Sequence, residues 1–174
     1  MNLHVVAYPD LPAADVERIQ LCRRDHNSLY PVIGAHFTIV FSVPDMALSD
    51  FTAEIKKQIS GISAIRFCLR SAVINKDAFS DYYDAFLVPD EGFSSIVKLH
   101  DRLYAGMLAP HHRLDISYIP HISIANATDP HFIKQIVNDW NAEELAISGS
   151  ISSLDIVNYD RDERIITTVE KIPL

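Results

Sequence analysis

Apolar and polar residues alternate over several short stretches of the chain and elsewhere recur at helical spacing, which predicts strands interleaved with amphipathic helices. Leu3 to Tyr8 is predicted as a strand. Ala13 to Arg24 is predicted as a helix, with Val16, Ile19 and Cys22 along one face. His36 to Val43 forms a strand, Leu48 to Ile59 a helix capped by Ser49 or Asp50, and Ile65 to Ile74 and Tyr82 to Val88 two further strands. A helix over Phe93 to Met107 leads to a strand over Tyr118 to Asn126. Pro130 to Trp140 is a helix with Asp129 as its cap and Pro130 in its first turn. Leu145 to Asn158 and Ile165 to Ile172 are strands, with Asp160 to Asp162 as the hairpin tip between them.

A repeat lies inside this order. Residues 4–10 (HVVAYPD) and 84–90 (DAFLVPD) are each an apolar strand that ends in Pro-Asp and leads into a helix. Each is followed, at similar spacing, by a strand bearing a histidine and then a hydroxyl residue: His36 with Thr38, and His121 with Ser123. One such match means little, but two in the same order imply two similar lobes, each contributing one equivalent strand to a shared cleft. The expected class is α+β: a bilobal, pseudo-twofold duplicated fold of two mainly antiparallel sheets flanked by helices. Residues 1–174 are expected to form a single domain of two intertwined lobes.

Side chains alternate faces along a strand, so His36, Thr38 and Val40 are expected on one face, with Phe37, Ile39 and Phe41 on the other. In the second motif His121, Ser123 and Ala125 share a face, and Ala125 leaves space beside the pair. Each strand would bury an apolar row and present imidazole plus hydroxyl to a cleft. Opening a cyclic phosphodiester needs a base to deprotonate water and an acid to protonate the departing oxygen. Two imidazoles with ordinary pKa values of about 6.5 can divide those roles. The hydroxyls of Thr38 and Ser123 can donate to non-bridging phosphate oxygens as charge builds. A solitary strand histidine is usually structural, and it is the duplicated context that singles out this pair.

The remaining histidines carry less. His111 and His112 suggest a metal, but adjacent loop residues rarely converge on one ion and no neighbouring ligand cluster is visible, so no metal or other cofactor is expected. His100 and His26 are expected to face solvent, and His4 and His131 have no partner motif. Tyr30, Arg113 and Tyr118 precede the motifs and could contact phosphate or a base, although packing or surface roles are the simpler expectation. Arg66 and Arg70 make one strand face polar, with the cleft as one candidate location. The segment Ala109 to Ser117, ahead of the second motif, is the candidate lid.

Composition narrows the partners. The chain has 174 residues, 48% hydrophobic and 22% charged, an ordinary globular balance. No run of apolar residues is long enough to span a bilayer, and Met1 to Pro9 lacks the basic start and apolar stretch of a signal peptide, so a cytoplasmic location is expected. The two cysteines, Cys22 and Cys68, are expected to be buried and reduced. A net charge of −8 argues against coating long duplex nucleic acid, but a few local cations can still hold a small phosphate.

The motifs His36-Phe37-Thr38-Ile39 and Pro120-His121-Ile122-Ser123-Ile124, with the elements around them, resemble the two-histidine (2H) phosphoesterase superfamily of 2′-5′ RNA ligase-like proteins and cyclic phosphodiesterases. The resemblance covers nearly the whole chain. It implies a bilobal fold with a cleft between lobes, His36 and His121 as acid and base, Thr38 and Ser123 as phosphate ligands, and no metal. The implied activity is metal-independent hydrolysis of 2′,3′-cyclic phosphates on nucleotides or short RNA ends. A 2′-5′ phosphodiesterase or ligase is the near alternative, and a nucleotide-binding module without turnover or a protein-interaction domain are the more distant ones. The expected partner is a nucleotide or short RNA with a cyclic phosphate or 2′-5′ linkage, with no membrane, and a monomer is the expected state.

Overall fold

The computed structural model describes residues 1–78, 80–160 and 165–174. Its elements are β1 (Asn2–Ala7), α1 (Ala13–His26), β2 (Phe37–Pro44), α2 (Leu48–Ile59), β3 (Ile65–Lys76), β4 (Tyr83–Glu91), α3 (Phe93–Leu103), a 3₁₀ helix (Gly106–His111), β5 (Ile122–Ala127), α4 (Pro130–Asn141), β6 (Ile147–Ile151), β7 (Ser153–Asp160) and β8 (Ile165–Pro173). They form two four-stranded antiparallel sheets, ordered β2-β1-β7-β8 and β5-β4-β3-β6, with flanking helices, as the repeat implies. Each sheet draws strands from both halves of the chain. The third strand of the first repeat, β3, pairs with β4 of the second, and β7 returns to pair with β1.

The duplication extends to the register. Val6 pairs with Thr38 and Ala7 with Phe37; in the other sheet Phe86 pairs with Ser123 and Leu87 with Ile122. Both pairings then slip by one residue. Val5 faces Val40 and Ala85 faces Ala125, which leaves Ile39 and Ile124 as the extra residues of equivalent bulges. The bulges correct the face assignment made from strict alternation. Val40 and Ala125 turn into the core and are fully buried, while Phe41 turns out to the cleft side.

One apolar cluster joins the two sheets. Phe37 meets Phe67 edge-on at 5.0 Å between ring centroids, and both are buried. Burial of each such ring contributes roughly 1.5–3 kcal/mol, so the inward rows hold the two sheets against each other. Helices cross between the halves: α1 packs on β5 and α3 on β2. Among the described residues no helix is long and apolar enough to cross a membrane.

Several local expectations are corrected. The predicted strand Leu145 to Asn158 is two strands, because the chain changes sheets at Ser152, whose carbonyl accepts from the Leu174 amide at 2.9 Å. The helix predicted to Met107 ends at Leu103. Gly106 takes a left-handed φ of 63° where a Cβ would lie 2.2 Å from Glu54 Oε1, and the 3₁₀ helix follows. Ala47, not Ser49 or Asp50, stands at the start of α2, with no side-chain cap. Asp129 does cap α4, accepting from the His131 amide at 2.9 Å. On α1 the buried face is Ile19 with Arg23; Val16 is exposed and Cys22 half-buried. Cys68 is buried, and both thiols are free. At the hairpin tip Asp160 pairs with Ile165, while Arg161 and Asp162 lie outside the described residues.

Candidate active site

His36 and His121 each stand one residue before their strand, in a matching local geometry. His36 Nδ1–H donates to the Gly34 carbonyl at 2.8 Å, and His121 Nδ1–H donates to the Ile119 carbonyl at 2.6 Å. A carbonyl can only accept, so each ring carries its proton on Nδ1 and presents Nε2. Thr38 Oγ1 lies 3.3 Å from His36 Nε2. The ring of His121 stacks on Phe86 with centroids 3.5 Å apart and planes 13° off parallel, while His36 meets Tyr8 edge-on at 6.2 Å.

The two motifs meet at a small central cavity of about 30 Å³, lined by all four motif side chains and by Arg23, Asn27 and Ile33. Asn27 ties α1 to the second motif, donating from Nδ2 to Ser123 Oγ at 3.2 Å and to the Ser123 carbonyl at 3.3 Å. Arg23 is 2% exposed; it donates to the Ile33 carbonyl at 2.6 Å and to Gln20 Oε1 at 2.9 Å. Among the described residues its Nε has no hydrogen-bond partner and no carboxylate pairs with the guanidinium. A buried guanidinium without an anion is costly, which marks a place where an anionic ligand would be stabilised.

Larger cavities adjoin the centre on both sides. One of about 310 Å³ shares His36 and Thr38 with it and is largely apolar, walled by Val6, Val32, Ile33, Val157 and Ile166. The other, about 410 Å³, shares Thr38 and His121 and is more polar, walled by Asn75, Lys76, Asp84, Phe86 and Tyr118. The Tyr118 hydroxyl donates to the Thr38 carbonyl at 3.0 Å, so the segment before His121 is tied to β2 across the groove.

Burial dominates the electrostatics. It pushes both His36 and His121 down to about 4, partly opposed by their carbonyl hydrogen bonds; the positive charges of Arg23, His121 and His4 further lower His36. Burial also raises the Asp84 carboxyl to about 6, with Asp77 adding to the rise and Asn75 and Lys76 opposing it. Both imidazoles are therefore neutral near pH 7 in the free protein. An anion between them would raise their proton affinity.

The four motif residues singled out in the sequence thus converge. Arg23 and Asn27 were missed. The available signal was a cation at i+4 from Ile19 on the apolar face of α1. Among the weaker candidates, Tyr118 lines the groove, whereas Tyr30 is exposed and lies 5.9 Å under the Arg23 guanidinium carbon. Arg113 is held by Asp115 through bonds of 2.8 and 2.6 Å. Arg66 and Arg70 are exposed and do not line these cavities; Arg70 pairs with Asp90 at 3.1 Å.

His100 is 2% exposed rather than solvent-facing, because α3 packs on β2 and its Nδ1–H donates to the Ile39 carbonyl at 2.8 Å. The fold also gives His112 the ligand-type neighbours that the sequence did not reveal. One donor atom each from His100, Asp101 and His112 lie within 4.8 Å of one another.

The whole architecture is shared with solved structures. TT0787 of Thermus thermophilus superposes with a TM-score of 0.67 at 17% identity, covering 100% of this chain and 98% of that one. LigT of E. coli complexed with 3′-AMP gives 0.58 at 16% identity, over 99% and 97% of the two chains. Usb1 of Kluyveromyces marxianus gives 0.57 at 10%, over 99% and 98%. No curated protein matches the chain in sequence. A family model for the 2′-5′ RNA ligase superfamily matches residues 8–163, which include both histidine motifs and most of the chain, and the chain therefore belongs to that superfamily of two-histidine phosphoesterases.

Proposed function

We propose that this protein is a metal-independent phosphodiesterase that opens 2′,3′-cyclic phosphates of nucleotides or short RNA ends. The observation that carries the reading is the pair of equivalent imidazoles, each locked by a carbonyl so that Nε2 is its reactive atom, beside a buried guanidinium that no carboxylate among the described residues pairs with. A phosphate held by Arg23, Thr38 Oγ1 and Ser123 Oγ would sit between His36 and His121. One neutral imidazole takes a proton from water at Nε2 as the water oxygen bonds to phosphorus. The other, protonated in the presence of the anion, delivers its Nε2 proton to the ribose oxygen as the P–O bond breaks. The product is a ribose hydroxyl and a phosphate monoester. The near-twofold environment makes either histidine competent as base, so the substrate's orientation assigns the roles.

The test is hydrolysis of the four nucleoside 2′,3′-cyclic phosphates with EDTA present, comparing wild type with His36→Ala and His121→Ala. Removing an acid or a base is expected to slow turnover about 10²–10⁴-fold in each variant. Retention of wild-type rates in both variants would refute the scheme. A second reading, cleavage or joining of 2′-5′ linkages, is favoured by the cavities on both sides of the centre, which offer room for a nucleoside on each flank of the phosphate. Consumption of a linear 2′-5′ dinucleotide in preference to cyclic phosphates would select it. The bound 3′-AMP and ATP of the LigT structures are consistent with nucleotide ligands in either case.

A further inference from the structure

We propose that His100, Asp101 and His112 form a binding site for one divalent cation of the zinc class, behind the groove wall and separate from the histidine pair of the proposed reaction. Two imidazoles with one carboxylate form a donor set suited to Zn²⁺, with water completing the four. Their donor atoms lie within 4.8 Å of one another. Tetrahedral bonds of about 2.0–2.1 Å need donors roughly 3.4 Å apart, so the site closes by an ångström or so. Asp101 is exposed and His112 half-buried, and rotation of those two side chains supplies that movement.

The ring of His100 is already oriented as a ligand. Its Nδ1–H is committed to the Ile39 carbonyl at 2.8 Å, which leaves Nε2 as the ligating atom. That backbone partner is the second-layer contact that ligating histidines commonly have. Each imidazole stacks on a tyrosine ring: Tyr118 on His100 at 3.6 Å and 6°, and Tyr104 on His112 at 4.6 Å and 9°. The two imidazoles meet edge-on at 5.3 Å. Tyr104 is anchored in turn, its hydroxyl accepting from the Phe41 amide at 2.8 Å.

The consequence lies in the segment after the 3₁₀ helix. His112 begins the stretch that runs through Tyr118 to His121, and Tyr118 bonds the Thr38 carbonyl. An ion bridging His112 to α3 would clamp that stretch against β2 and stiffen one wall of the groove.

The experiment uses the full chain, stripped with EDTA and desalted, then titrated with Co²⁺ and with Zn²⁺ in the absence of nucleotide. The expected result is one equivalent of Co²⁺ with a four-coordinate visible spectrum, displaced by Zn²⁺, and a melting temperature that rises with Zn²⁺ concentration. His112→Ala and Asp101→Asn should each weaken binding at least about tenfold, while His111→Ala leaves it unchanged. Zn²⁺ should also slow amide exchange over residues 112–118. Absence of saturable binding up to millimolar metal would overturn the proposal. So would wild-type affinity in both His112→Ala and Asp101→Asn, or loss of binding in His36→Ala with His112→Ala unaffected. Binding is read without substrate, so its outcome is independent of the proposed phosphodiesterase activity.

Discussion

The depressed proton affinity of the two histidines has a consequence for rate against pH. The proposed reaction requires one imidazole neutral and the other protonated, and burial pushes both down to about 4 in the free protein. For two equal sites at that value, the singly protonated form is about half of the population at pH 4. It falls to roughly one part in six at pH 5, one in fifty at pH 6 and one in five hundred at pH 7. Because kcat/KM reports the free enzyme, it should rise nearly tenfold for each unit of acidification between pH 7 and pH 5. The kcat profile reports the complex, in which an anion within about 4–6 Å raises the affinity of the imidazole that carries the proton. Its alkaline limb should therefore lie about 1–3 pH units higher. The assay is initial-rate hydrolysis of a nucleoside 2′,3′-cyclic phosphate from pH 5 to 8 at constant ionic strength, both far below KM and at saturation. Asp84 titrates near 6 in the same groove, so the series is repeated in Asp84→Asn to separate its charge from the pair. A kcat/KM that is flat or increasing with pH across this range, in both proteins, would refute the reasoning.

Two further outcomes follow from stability. Asp84 has a folded pKa near 6, above the usual carboxylate value, so the folded state favours its protonated form; that stabilisation is present at low pH and is lost as pH rises through 6. Asp84→Asn should accordingly raise the melting temperature more at pH 8 than at pH 5, and an equal change at both would contradict the burial argument. Gly92 precedes α3 at φ 82°, where an added Cβ would lie 2.4 Å from the Arg66 carbonyl oxygen and 2.8 Å from Phe67 Cβ. Gly92→Ala should cost at least about 2 kcal/mol in denaturant unfolding. Gly61→Ala, at a similar φ of 78° but with nothing within 4 Å, should cost roughly 1–2 kcal/mol from backbone strain alone; equal losses would show that steric contact at Gly92 carries no weight.

What the sequence by itself determined is the local and repeated part of this protein. Strand alternation and helical spacing depend on neighbouring residues, so most elements were legible in order from Leu3 onward, the 3₁₀ helix and the division between β6 and β7 excepted. The duplicated Pro-Asp and His-x-hydroxyl patterns announced two equivalent lobes, and His36, Thr38, His121 and Ser123 do converge on one cavity. Tertiary structure decided whatever depends on a partner distant along the chain. The paired bulges at Ile39 and Ile124 arise from cross-strand register with β1 and β4, and they alone turn Val40 inward and Phe41 outward. The division of the predicted strand at Ser152 reflects a change of sheet, which carries no compositional mark. Arg23 reads as an ordinary cation in the last turn of a helix until α1 packs on β5 and buries it beside the histidines. His100 and His112 become neighbours only when the chain beyond the 3₁₀ helix comes back beside α3. Periodicity specifies which face of an element avoids water, but what that face meets is set by the packing of the entire chain.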